Sequence, residues 1–98
     1  MRRKYETING HKISVWDDGD ETIDRFTVVY LDEIDHRGKV QYLAMSSHPF
    51  HPQGLVQHGE MDIWAVAYKG RGGAFKKRIK FADLPEDCQK AVKQDFDL

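Results

Sequence analysis

The clearest strand signal in this 98-residue chain is Arg25-Phe26-Thr27-Val28-Val29-Tyr30-Leu31. β-Branched and aromatic residues of this kind suit a pleated, half-buried surface. Alternating segments near 12–16 and 40–45 flank it, separated from it by polar turns that contain Gly19 and Gly38. A further apolar segment near 62–68 reads as a fourth strand. Together these segments predict an antiparallel sheet of about four strands.

The last part of the chain has the pattern of an amphipathic helix over 84–96. Asp83 offers a capping oxygen and Pro85 suits the first helical turn. A helix this short is stable only when its apolar face is docked. We therefore expect one α+β domain over residues 1–98, a small antiparallel sheet packed against one C-terminal helix. The apolar stripe of that helix consists of Leu84, Cys88, Ala91, Val92 and Phe96.

Composition excludes several classes of protein. Hydrophobic residues make up 40% and charged residues 32%, and no apolar run approaches the roughly 20 residues that span a bilayer. The single cysteine, Cys88, excludes an internal disulfide and suits a reducing compartment. We therefore expect a cytoplasmic protein with no membrane contact.

The segment between the third and fourth predicted strands, 46–60, is predicted to be a shaped loop. It contains Pro49 and Pro52, and each proline removes a backbone donor and restricts the residue before it. Such loops on a rigid scaffold tend to carry binding groups. An exposed Phe50 with polar neighbours would resemble a hot spot with a polar rim, whereas a buried Phe50 would close the core. The candidate binding residues are His48, Phe50, His51, Gln53, Gln57 and His58.

The histidines of the same loop raise a second hypothesis, a metal site formed by His48, His51 and His58. Neutral imidazoles are common zinc ligands, and three protein ligands with a water make a catalytic site. Their spacing matches no established zinc signature. We therefore expect no cofactor, with zinc retained as an alternative. No residue is assigned a catalytic role.

A basic segment with interleaved phenylalanines follows over 69–81, and it contains no acidic residue. Cations neutralise phosphates and aromatic rings stack on unpaired bases, which is the basis of a nucleic-acid alternative. The competing interpretation is an edge strand whose lysines discourage pairing with other chains. The candidate nucleic-acid ligands are Lys69, Arg71, Lys76, Lys77, Arg78 and Lys80.

Several strings of this sequence resemble a group of small uncharacterised bacterial and phage proteins. They are Asp24-Arg25-Phe26-Thr27-Val28-Val29-Tyr30, His48-Pro49-Phe50-His51-Pro52-Gln53-Gly54 with Gln57-His58, Lys77-Arg78-Ile79 and Phe81-Ala82-Asp83-Leu84-Pro85-Glu86-Asp87-Cys88-Gln89. The resemblance runs from about Lys12 to Asp95. It implies a phage or mobile-element setting, and it implies no activity or catalytic residue.

These observations favour a non-enzymatic module that acts by protein–protein interaction. A nucleic-acid-binding accessory protein that uses the basic segment is the first alternative. A hydrolase with a histidine-ligated metal is the second.

Overall fold

The computed structural model describes residues 5–19, 25–32, 34–70 and 77–96, with 67–70 described by their backbone alone. The described elements are β1 (Glu6–Ile8), β2 (His11–Asp17), β3 (Phe26–Tyr30), β4 (Lys39–Met45), β5 (Val56–Asp62), α1 (Ile63–Gly70), β6 (Lys77–Ile79), a 3-10 turn (Phe81–Asp83) and α2 (Glu86–Phe96).

The six described strands form one antiparallel sheet in the order β1-β2-β3-β4-β5. β6 also pairs with β2, through Val15 to Asp17, while β1 pairs with the other end of β2 through His11 to Ile13. One border of the sheet is therefore made of two three-residue strands. The other border is the seven-residue strand β5.

The predicted α+β class and the docked C-terminal helix are confirmed, but the sheet has more strands than the four expected. β1 is an additional strand, joined to β2 by a tight turn at Asn9 and Gly10. Asn9 and Gly10 have φ values of 51° and 83°. Two consecutive left-handed residues are what a tight hairpin turn requires, and Asn-Gly is its strongest sequence signal.

The fourth predicted strand, 62–68, is wrong, because residues 63–70 form helix α1. A short apolar run has no clear period and fits either structure. The buried side chain of Val66 packs against Val29 and Val40, on the sheet face opposite α2. The strand that pairs with β4 is instead β5, and most of β5 lies in the predicted loop 46–60. Its sequence is a poor strand former, and its pairing with all seven residues of β4 overrides that local preference.

The main core lies between the sheet and α2. The predicted helical stripe is confirmed: Cys88 and Val92 are fully buried and Phe96 packs at the margin. The helix begins at Glu86 rather than at 84, because Asp83 caps the preceding 3-10 turn, its carboxylate accepting from Lys80 N–H at 3.1 Å. The sheet residues of this core are Ile13, Val15, Phe26, Val28, Tyr30, Leu43 and Met45.

Candidate interaction surface

The loop between β4 and β5 consists of two consecutive turns, each opened by a His-Pro pair. His51 N–H donates to the carbonyl oxygen of His48 at 3.1 Å, and Gly54 N–H donates to that of His51 at 2.7 Å. Pro49 and Pro52 each take the second position, for which proline is already set. The repeated His-Pro motif is therefore a device for building turns.

The base of the loop is closed by close packing of the backbone. A Cβ atom at Gly54 would lie 1.9 Å from the His48 carbonyl oxygen, so only glycine fits there. Ser46 N–H donates to Leu55 C=O at 2.9 Å, and Ser46 Oγ accepts from Leu55 N–H at 3.0 Å. These contacts hold the loop in one shape.

The loop presents Phe50 to solvent, with 49% of the residue exposed. Pro49 is buried beside it, while His48, His51 and Gln53 are exposed. The ring of His51 also serves the turn, because its Nδ1 accepts from Gln53 N–H at 3.1 Å. The exposed arrangement of Phe50 is thus the one that the structure adopts.

The other two predicted binding residues, Gln57 and His58, lie on β5 rather than in the loop. They are neighbours on a strand and so point to opposite faces of the sheet. His58 is on the α2 face, where its ring is hydrogen bonded to Asp95. The structure therefore groups four of the six candidates in the loop and separates the other two.

Asp95 connects the last turn of α2 to two strands. Besides His58, its carboxylate accepts a hydrogen bond of 2.6 Å from the Tyr30 hydroxyl. Phe96 stacks on His11 with 4.3 Å between ring centroids. No sequence signal indicated this cluster, because its members lie 37 and 65 residues apart. A carboxylate that orients an imidazole also occurs in catalytic sites, but no hydroxyl or thiol bonded to His58 is seen in the described residues.

No described strand pairs with the outer border of β5. Its pairing with β4 is bounded by two hydrogen bonds, Ser46 N–H to Leu55 C=O and Ile63 N–H to Gly38 C=O, both 2.9 Å. Bonded and non-bonded pairs alternate along an antiparallel ladder, and the residues of non-bonded pairs turn their N–H and C=O groups outward. The outward-facing residues of β5 are therefore Val56, His58, Glu60 and Asp62.

Four of the five exposed large apolar side chains in the described residues lie on β5 or on the segments joined to its ends, and the fifth is Ile34. Phe50 and Val56 lie at one end of β5, and Ile63 and Trp64 lie at the other, with 68% of Trp64 exposed. Isolated exposed apolar residues are ordinary, whereas several on one rim mark interaction sites. We call this border with its four apolar residues the β5 surface.

Two acidic side chains of the β5 surface are paired with cations of the same chain. Arg37 contacts Glu60 at 3.1 Å and Lys39 contacts Asp62 at 2.9 Å. Arg37 also bonds Asp35 at 2.7 Å, and this contact, with the backbone N–H of Lys39, lowers the pKa of Asp35 to about 2. The β5 surface is therefore not a block of unbalanced negative charge.

The basic candidates are only partly described. Arg71 and Lys76 lie outside the described residues, as does the side chain of Lys69. Lys77, Arg78 and Lys80 line an open groove beside the start of α2. The same groove is lined by the acidic residues Glu6, Asp17, Asp83, Glu86 and Asp87.

Asp17, one of the acidic residues of this groove, is paired with an arginine. Arg25 donates to it through two nitrogens, at 2.8 and 3.1 Å, and this bidentate contact lowers the pKa of Asp17. The groove thus has mixed charge, and carboxylates interrupt the cations that the structure describes there.

The described residues include neither a group of metal ligands nor a reactive cysteine. No group of three or more His, Cys, Asp or Glu side chains in the described ranges could hold a metal ion, so the site of His48, His51 and His58 stays a prediction. Burial, with a smaller contribution from Asp87, raises the pKa of the Cys88 thiol to about 11. Its Sγ donates to the Ser46 carbonyl oxygen at 3.3 Å. This thiol is therefore a packed core group.

Compared with models of protein families, with curated proteins and with solved structures, the chain matches none. In the described part of the chain, neither helix has the length and apolar character needed to cross a bilayer.

Proposed function

We propose that this protein is a small, non-enzymatic module that acts by binding another protein through the β5 surface. The observation that carries the proposal is the coincidence of exposed apolar side chains with backbone groups that no described strand pairs, along one border. Phe50, Val56, Ile63 and Trp64 all lie within the stretch 50–64 that contains β5.

The backbone border and the side chains have different roles in this proposal. An added strand obtains affinity from main-chain hydrogen bonds and specificity from the side chains beside it. The four outward-facing residues of β5 supply the main-chain hydrogen bonds. The two apolar pairs at its ends supply the specificity, and aromatic residues such as Trp64 are frequent hot spots of interfaces.

The mixed charge of the groove favours a protein partner over a nucleic acid. Nucleic-acid affinity depends on several cations that neutralise phosphates together. Here Lys77 pairs in register with Asp17, and Lys80 lines the same groove as Asp83 and Glu86. The phage or mobile-element setting implied by the resemblance is part of the same proposal, since small proteins of that origin often act by occupying a host protein.

The test is affinity purification of the tagged chain from a bacterial lysate that also contains the untagged chain, with nuclease and EDTA added. We expect a protein to be retained by the unmodified chain and lost from Phe50→Ala and Trp64→Ala. Gln94→Ala, an exposed position on α2, is the matched control and should retain it. Equal retention by all four chains, or retention that nuclease abolishes, would contradict the proposal.

A further inference from the structure

The β5 surface is complementary to itself, and we infer that its partner is a second copy of this chain. The two copies pair β5 against β5 in antiparallel orientation, about a two-fold axis at Gly59. This inference rests on the proposed function, because it names the occupant of the surface proposed there.

The hydrogen-bonding pattern of β5 limits the registers that two copies can adopt. Outward-facing residues must lie opposite outward-facing residues, so only every second register forms bonds. The axis can then lie at His58, Gly59 or Glu60 among the central positions. Only the axis at Gly59 pairs all seven residues of both strands.

Charge selects the same register. With the axis at Gly59, the imidazole of His58 lies opposite the carboxylate of Glu60 from the other copy, and this contact occurs twice. An axis at Glu60 would set two carboxylates face to face, and like charges directly opposite destabilise a sheet. An axis at His58 would oppose two imidazoles and leave Asp62 without a strand residue across from it.

The segments at the two ends of β5 also become neighbours. Antiparallel pairing brings the beginning of one strand beside the end of the other, so Val56 lies opposite Asp62 of the second copy, and Leu55, the residue before Val56, lies opposite Ile63. The loop that presents Phe50 and the helix start that presents Trp64 extend beyond opposite ends of β5. Each apolar end of one copy thus meets the other apolar end of its partner, which is the pattern of an isologous interface.

As far as the described ranges show, this border lacks the usual protection of an exposed strand. Edge strands that stay unpaired are commonly short, or carry lysine or proline. β5 has seven residues with neither lysine nor proline, and its acidic side chains Glu60 and Asp62 are already paired with Arg37 and Lys39. The opposite border of the described sheet is made of the three-residue strands β1 and β6.

The first experiment is sedimentation equilibrium of the full chain at increasing concentration. We expect a mass that rises to twice the 11.4 kDa of one chain. Glu60→Lys removes the carboxylate opposite His58 at two equivalent sites and places a second cation beside Arg37, so it should raise the dissociation constant about tenfold or more. Gln94→Lys, which adds a cation on the exposed side of α2, should leave it unchanged.

The second experiment tests the register. Gln57 and Met61 of the other copy lie opposite in a non-bonded pair, where Cα atoms are about 4.5 Å apart and a disulfide fits. Mixing Gln57→Cys chains with Met61→Cys chains under mild oxidation should yield the mixed disulfide far in excess of either symmetric one. The native Cys88 is fully buried and does not compete.

The outcomes separate this inference from the proposed function. A chain that stays monomeric at high concentration and forms no mixed disulfide overturns the inference. If the affinity purification retains a different protein and Trp64→Ala abolishes that retention, the proposed function stands although the inference of self-association is wrong. Dimers that are unaffected by Glu60→Lys also overturn the inference, since another surface would then form them.

Discussion

Replacing Gly54 by alanine tests whether the His-Pro loop is held in the shape described above. The added Cβ would lie 1.9 Å from the carbonyl oxygen of His48, whereas an ordinary van der Waals contact of a Cβ atom is 3.4–4 Å. The carbonyl must therefore retreat by about 1.5 Å, which breaks its 3.1 Å hydrogen bond from His51 N–H.

The loop can avoid the overlap by unfolding its two turns, and this limits the loss in the free energy of unfolding. Loss of two turn hydrogen bonds at about 1 kcal/mol each predicts a free energy of unfolding lower by about 2 kcal/mol. For a domain of this size that corresponds to a melting temperature lower by about 8–16 °C.

Urea unfolding followed by tryptophan fluorescence measures the change, with Gln53→Ala as the control in the same loop. Gln53 is exposed, so its truncation should change the free energy of unfolding by less than about 0.5 kcal/mol. Gly54→Ala protein as stable as this control would refute the double-turn structure, and with it the fixed presentation of Phe50.

Three further predictions concern the rest of the fold. Because its arginine partner holds the pKa of Asp17 below the ordinary 3.8, the folded state favours the carboxylate. The resulting stability is present above that value and is lost as the pH falls through the lower folded pKa. Between about pH 5 and about pH 3, the urea midpoint of Asp17→Asn should therefore fall by less than the urea midpoint of the unmodified protein. The Cys88 thiol should react with iodoacetamide on the order of 100-fold more slowly in native protein than in urea, since it is buried and its pKa is raised; equal rates would contradict its packing. Tyr30→Phe removes the donor to Asp95 and should lower the free energy of unfolding by about 1.5 kcal/mol, whereas Tyr42→Phe on the other sheet face should have less effect in the same assay.

The elements that were predicted from sequence are those with strong local patterns. The strand around Phe26 to Tyr30 has β-branched and aromatic residues throughout, and the α2 stripe repeats at helical spacing. In both segments the local conformational preference agrees with the tertiary packing, so the sequence pattern alone predicts the element.

β5 and α1 were not predicted, because tertiary contacts override their local preference. Gly59 weakens a strand by itself, yet the ring of Tyr42 covers it so closely that a Cβ there would lie 2.4 Å from the ring. Ile63 to Val66 fits either a strand or a helix, and the place of Val66 over Val29 and Val40 decides the outcome.

The candidate surface was predicted in part. The two prolines predicted the loop. The sequence left open whether Phe50 is exposed or buried, and the structure shows it exposed. That His48 and His51 begin the two turns could not be predicted from the sequence, because it is shown only by the backbone hydrogen bonds to their carbonyl oxygens. The bond between His58 and Asp95 joins residues 37 positions apart, and only the folded chain brings them together.

Residue-resolved amide hydrogen exchange along β5 tests the central claim most directly. In the isolated chain, Gln57, Gly59 and Met61 should exchange slowly, because their N–H groups bond β4, while His58 and Glu60 should exchange rapidly. When the protein is concentrated, or saturated with the protein it retains, His58 and Glu60 should become protected. Rapid exchange at both of these residues in the assembled state would contradict binding through the β5 surface.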